Sequence, residues 1–305
     1  MLKIVVFQLR PGIGDMCIFL PTLYEISKKY KNSEIYLVTK KRTQSKNFLK
    51  DEKYIKKIIY IEDIKLKYKS TLLSLFFFFK DYKISKAFIM HYGLRYFLLC
   101  KFLKIKKIFV YGFLKKNENI TKKLFEQTKK WLNINSYNNS TILNFKGEFI
   151  RRDKILIGIG SSGESRKWNS KNFIFLCNKI NEIKKFQFII LGGPQDKKQS
   201  KEILFELKKN LDIISLCDYK IYETFKYIKN SYFYVGTDSA FMHLSAALNV
   251  KTFGLYGDTP VNYSEYSKNI FPIIPEGFSN ITHRSNAMSL IKPEYVFSKI
   301  KDCII

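Results

Sequence analysis

The chain has 305 residues, 46% of them hydrophobic, and a formal net charge of +28. That length favours two α/β domains, each with enough apolar sequence for its own core, and no segment reaches the ~20 apolar residues of a membrane span. Five scattered cysteines (Cys17, Cys100, Cys177, Cys217, Cys303) and only 3 histidines exclude a disulfide framework and a zinc module, and suit reduced thiols in the cytoplasm.

The first strand is Leu2 to Gln8. Its apolar run is too short for a secretory signal. It leads into Gly12-Ile13-Gly14-Asp15 and then a helix from Cys17 to Tyr30. Open α/β sheets bind ligands at this place, outside the carboxyl ends of their strands. The dinucleotide fingerprint is missing: Cys17 stands where it needs Gly or Ala, and Thr39-Lys40-Lys41 where it needs an acidic residue. NAD is thereby disfavoured. What remains is a flexible Gly12/Gly14 loop presenting one carboxylate, Asp15, whose plainer reading is a helix cap.

Glu34 to Thr39 is strand-like. Short apolar runs follow at Ile58 to Ile61, Lys86 to His91 and Ile108 to Tyr111. Helical spacing marks Leu94 to Phe102 and Ile120 to Leu132. Leu75 to Phe79 reads as a core or interface helix, with a membrane surface as the other option. The alternation predicts a parallel sheet with helices on both faces. A polar stretch from Asn133 to Asn144 reads as a linker. Residues 1–150 carry +20 of the charge and residues 151–305 carry +8. A half this basic favours an anionic partner. Dispersed lysines with no recognition motif argue against nucleic acid.

The pattern restarts with a strand at Ile155 to Ile159. After it, Ser161-Ser162-Gly163-Glu164-Ser165-Arg166-Lys167-Trp168 offers small residues that let backbone amides approach a phosphate, with Arg166 and Lys167 supplying charge. A helix at Ser170 to Ile183 and a strand at Phe186 to Leu191, ending in Gly192-Gly193-Pro194, come next. A charged helix covers Lys197 to Asn210, and further strands lie at Ile213 to Leu216, Tyr232 to Val235 and Thr252 to Tyr256. Between the last two, Gly236-Thr237-Asp238-Ser239 opens a helix through Ala240, Phe241 and His243. A Gly turn feeding a helix capped by Asp-Ser makes an anion site. His243 reads as an interior group holding a loop beside it. Pro293 opens a last helix to Cys303.

Taken in order, these pieces resemble one family. They are the Gly-Asp at the first helix, the small-residue loop with a basic residue and Trp-Asn, the Ile-Leu-Gly-Gly-Pro strand end, and the Asp238 to Leu248 helix running to Gly254-Leu-Tyr-Gly-Asp-Thr-Pro260. The chain resembles the bacterial heptosyltransferases of glycosyltransferase family 9, most strongly from Ile155 to Pro260. The resemblance implies a GT-B fold of two Rossmann-like, doubly wound domains facing a central cleft. Their limits would be 1–145 for the acceptor and 146–290 for the nucleotide sugar, with 291–305 packing back on the first domain. It implies inverting, metal-independent transfer of heptose from ADP-heptose to a lipopolysaccharide or lipooligosaccharide core acceptor, without a cofactor. By position, Asp15 matches the general base and Arg166 stands where the family usually has a Lys on the donor diphosphate. Asp238 matches the family's carboxylate that contacts sugar hydroxyls, and the backbone at Ser239, Ala240 and Phe241 matches its pyrophosphate-binding helix start. Ser161, Ser162, Lys167 and His243 complete the donor set, and the anionic lipid-linked acceptor implies contact with the cytoplasmic face of the inner membrane. Other readings are a different nucleotide sugar, an O-antigen or capsule acceptor, a nucleic-acid binder or a degenerate homologue.

Overall fold

A computed structural model describes residues 1–64, 70–112, 118–138, 140–147, 153–161 and 163–304. The chain divides into two compact units, Met1–Asn144 and Phe145–Ile305. In the first, the elements are β1 (Lys3–Phe7), α1 (Ile13–Lys29), β2 (Glu34–Thr39), α2 (Ser45–Phe48), β3 (Ile55–Tyr60), α3 (Ile61–Ile64), α4 (Thr71–Phe79), β4 (Lys86–Ile89), α5 (Leu94–Phe102), β5 (Lys107–Val110) and α6 (Ile120–Leu132). The strands are parallel, in the order β3-β2-β1-β4-β5. Ile4, Val5, Val6 and Phe7 of β1 are all fully buried, as a central parallel strand covered on both faces must be. Val5, Phe7, Val38 and Ile89 share one core cluster with Leu75 and Phe79 of α4 and Tyr96 and Leu99 of α5. Helices α1 and α6 pack together through a buried Thr22–Thr128 hydroxyl pair at 2.7 Å.

The second unit holds β6 (Lys154–Gly158), α7 (Ser170–Ile183), β7 (Gln187–Leu191), α8 (Lys197–Leu207), β8 (Ile213–Ser215), α9 (Ile221–Lys229), β9 (Ser231–Thr237), α10 (Ala240–Ala247), β10 (Lys251–Leu255), β11 (Ile270–Ile273) and α11 (Pro293–Ile300). Its parallel sheet runs β11-β10-β9-β6-β7-β8. In both sheets the strand order reverses beside the first strand of the unit, between β1 and β4 and between β6 and β9. Outside the carboxyl ends of those strand pairs a doubly wound sheet opens a crevice for ligands.

One expectation is corrected. Residues 133–144 are not a free linker. Thr141 and Leu143 are buried, and the Thr141 hydroxyl donates to the Cys17 carbonyl. The backbone and side-chain amides of Asn144 both donate to the Glu52 carboxylate, each at 2.7 Å. Burial pushes the Glu52 carboxyl above its usual range, and the Asn144 amides oppose that rise. The last helix described completes the core of the second unit. Val296, Ile300 and Ile304 are buried there against α7 with Phe173, Leu176 and Ile180, because the helix has one apolar stripe and this core absorbs it. Strand β11, which contains Pro272, was not among the expected strands. It is an edge strand, where a missing ladder donor is tolerated.

Candidate active site

In the first unit, the loop from β1 to α1 is folded by Gln8. This fully buried side chain accepts from the Arg10 amide at 2.7 Å and donates to the Arg10 carbonyl at 3.5 Å. Arg10 is thereby held over the start of α1, its Nε 3.3 Å from Asp15 Oδ1. The other Asp15 oxygen accepts from the Gly12 amide at 3.1 Å, so Asp15 does cap its helix. A Cβ at position 12 would stand 2.8 Å from Asp15 Oδ2, which is why glycine fits beneath the carboxylate. Gly14 lies in the first turn of α1. The carboxylate is oriented by two donors yet keeps 24% side-chain exposure.

In the second unit, three segments meet at the β6/β9 reversal. The loop after β6 begins at Ser161, whose hydroxyl donates to the Gly163 carbonyl at 2.8 Å; Ser162 lies outside the described residues. A short 3-10 turn at Glu164–Arg166 follows. Lys167 pairs with Glu164 at 2.7 Å. Trp168 is buried and its indole N–H donates to the Ile291 carbonyl at 2.8 Å. The loop is tied down by Asp258, which sequence reasoning passed over. Asp258 Oδ2 accepts from the Ser165 hydroxyl at 2.8 Å and lies 3.7 Å from Arg166 Nε, while Oδ1 accepts from the Asn286 amide at 3.0 Å. Burial raises the Asp258 carboxyl, but these donors and the Arg166 charge outweigh it and hold it below the usual range.

The third segment is the start of α10. Ser239 is its N-cap by backbone, but its side chain makes no capping bond; the hydroxyl faces Tyr234 Oη at 3.4 Å. The expected side-chain cap is thus corrected, and the amides of the first turn, from Ala240 and Phe241 onward, are left without a side-chain cap. A row of three glycines in register across β6, β9 and β10 (Gly158, Gly236, Gly254) brings α10 down onto the sheet. Met242 of α10 covers Gly254, and the Tyr234 hydroxyl passes over Gly158 to donate to the Thr237 carbonyl at 3.0 Å.

Asp238 is nearly buried. His243 Nε2 lies 3.4 Å from its Oδ1, and His243 Nδ1 is 2.7 Å from the Tyr266 hydroxyl. The two rings are stacked with centroids 5.7 Å apart. Burial pushes the Asp238 carboxyl up, but the bond and charge of His243, with the charge of Arg166, bring it below the ordinary value. Arg166 therefore acts on both Asp258 and Asp238. A carboxyl lowered in the folded state contributes stability that is complete above its unfolded titration and is lost as pH falls through the lower folded value. Asp238→Asn is expected to cost about 1–3 kcal/mol at neutral pH and to flatten the acid limb of stability. Denaturant unfolding followed down through the carboxylate range checks this, and an unchanged acid limb would refute it.

Sequence reasoning also missed Asp196, which closes the short 3-10 turn Pro194–Asp196 after β7. It is buried, and its Oδ2 accepts from the Gly193 amide at 2.8 Å and the Gln195 side chain at 3.1 Å. Burial pushes its carboxyl up, and its Oδ1 has no hydrogen-bond partner. Its signal was its place, just beyond Gly192-Gly193-Pro194. The structure thus brings Arg166, Lys167, Asp238, Ser239 and His243 to one sheet edge in the second unit, and Gly12, Gly14 and Asp15 to the corresponding edge in the first. Among the described residues no group of three or more His, Cys, Asp or Glu is arranged to hold a metal ion, and no helix is long and apolar enough to cross a membrane.

Residues 66–282 match the family profile of glycosyltransferase family 9 (heptosyltransferase). Lipopolysaccharide heptosyltransferase 1 of Campylobacter coli is 28% identical over 156 residues, 50% of this chain and 44% of that protein. The chain thus spans less than half the length of this relative. Among solved structures, a family 9 glycosyl transferase from Veillonella parvula superposes with a TM-score of 0.79 at 15% identity, covering 99% of this chain and 97% of that one. The E. coli heptosyltransferase WaaC, solved with ADP, superposes with a TM-score of 0.75 at 12% identity, covering 99% and 100%. Both share the fold of this chain.

Proposed function

The chain belongs to glycosyltransferase family 9 and has a GT-B-type pair of Rossmann-like units, and on that premise we propose that it transfers heptose from ADP-heptose to a lipopolysaccharide or lipooligosaccharide core acceptor with inversion at the anomeric carbon. The observation that carries the reading is the β6/β9 edge. There an uncapped helix start, Asp238 and Arg166 converge in a shape that suits a sugar diphosphate. The α10 amides and the positive end of its dipole would take the pyrophosphate. Arg166 and Lys167 would add charge as the leaving group develops it, so no metal need serve that purpose. Asp238, fixed by His243, would accept from hydroxyls of the transferred sugar.

Asp15 is the base in this reading. It takes the proton of the acceptor hydroxyl as that oxygen forms its bond to the anomeric carbon. The carbon–phosphate oxygen bond breaks on the opposite face, and ADP leaves with the electron pair. The charge of the first unit suits an anionic, lipid-carried acceptor, reached from the cytoplasmic face of the inner membrane.

Calorimetric titration with ADP, UDP and GDP, without divalent metal, tests the donor. Selective ADP binding, weakened about tenfold or more by Arg166→Ala through the lost charge-assisted hydrogen bonds, is the expected result. Preference for UDP or GDP would remove heptose as the transferred sugar. Binding of none of the three would remove the transferase reading.

A further inference from the structure

Helix α5 has two apolar faces. The inner one, with Tyr96, Leu99 and Cys100, is buried in the first unit's core. The outer one carries Leu94, Leu98 and Phe102, exposed by 61%, 46% and 73%. Spaced four apart, they form a single stripe along the helix, and the neighbouring α4 adds exposed Leu73 and Phe77. Arg95, Lys101, Lys104, Lys106 and Lys107 are exposed on and just beyond this helix. Between Asp81 and Glu118 the sequence has no acidic residue. A large apolar stripe rimmed by charge of one sign calls for a particular partner.

We propose that this face docks the chain on a bilayer rich in anionic lipid. Leu94, Leu98 and Phe102 seat at the boundary between headgroups and acyl chains, and the cations lie on lipid phosphates. A second copy of the chain fits the face poorly. A two-fold contact sets each patch against itself, and here Arg95, Lys101 and Lys104 would meet their own copies while the stretch between Asp81 and Glu118 supplies no carboxylate to pair them. The position is apt as well. Met90, at the end of β4, donates to the Phe7 carbonyl of β1 at 2.9 Å, so the stripe starts at the same sheet edge that carries Asp15. A saccharide carried on a membrane lipid would be met there. This deepens the reading of a lipid-carried acceptor, but its test uses neither donor nor acceptor, so either can fail without the other.

The experiment is co-sedimentation of the full chain with phosphatidylcholine vesicles, with and without about one-third phosphatidylglycerol, at low and high salt. Binding only to the anionic vesicles, reversed by salt, is expected. The double variant Leu98→Ser/Phe102→Ser and the double variant Lys101→Glu/Lys104→Glu should each weaken partitioning by about tenfold or more. Phe205→Ser, which removes an apolar side chain 75% exposed on α8 of the second unit, should leave it unchanged. Thermal melts identify any variant that fails to fold, and the single substitution Phe102→Ser then replaces the double one. Lack of binding to anionic vesicles, binding that survives both double variants, or an equal loss in Phe205→Ser would overturn the proposal. So would light scattering that shows a dimer dissociated by Leu98→Ser/Phe102→Ser.

Discussion

Asp15→Asn is expected to lower the transfer rate by about 10²–10⁴-fold, the range assigned to one general base, while ADP affinity stays as in the wild type. The substitution is nearly isosteric, and the amide oxygen of Asn can still accept from the Gly12 amide, so the cap at the start of α1 persists. What it loses is the ability to take a proton and the charge that faces Arg10. The proposed donor contacts, at Arg166 and the start of α10, lie in the other unit, so calorimetry with ADP separates a lost base from a lost fold. Transfer within a few-fold of wild type would refute the assignment of Asp15 as base and leave it as a helix cap.

Gly236→Ala is expected to have the largest effect on stability. Position 236 pairs with Gly158 in the middle of the second sheet. A Cβ there would reach the Gly158 backbone itself, its nitrogen at 2.6 Å and its carbonyl oxygen and Cα closer still. Backbone in a central parallel strand cannot swing aside as a side chain can. The strands must part or β9 must shift, and overpacking of this sort costs about 3 kcal/mol. For a unit of this size that lowers Tm by roughly 10 °C. Gly163→Ala is the control: a Cβ at 163 meets nothing within 4 Å and should leave Tm unchanged. A melting temperature for Gly236→Ala equal to the control would refute the close strand approach.

Local chemistry explains which elements were legible in the sequence. Helices α6 and α7 start as expected because Asn119 and Asn169 accept from their first-turn amides, and α6 stops at Asn133 in the left-handed conformation. Strand β2 and helix α5 likewise have the predicted limits, set by continuous burial in one and the preceding glycine in the other. The failures are all matters of distant partners. Strand β11 exists because β10 offers it an edge, against its own Pro272. The 133–144 stretch is ordered by Glu52 and Cys17, about a hundred residues earlier. The candidate site divides in the same way. Asp15, Arg166, Asp238 and Ser239 were visible because each follows a strand in a turn of small residues. Asp258 was not, because its partner Ser165 is 93 positions away. Tyr266 was not, because only the fold stacks it on His243.

The placement of α11 governs the order in which the molecule can be made. All five strands of the first unit's sheet lie within residues 1–144, so that sheet can pair while the rest of the chain is still being synthesised. The second unit is completed later. Its core waits for Ile291, Val296, Ile300 and Ile304, and the indole of Trp168 waits for the Ile291 carbonyl. Until residues 291–304 leave the ribosome, the second unit is a sheet with part of its apolar core uncovered, the kind of species that chaperones hold. Removing residues 291–304 would therefore be felt at Trp168 and the loop after β6, more than a hundred positions earlier in sequence.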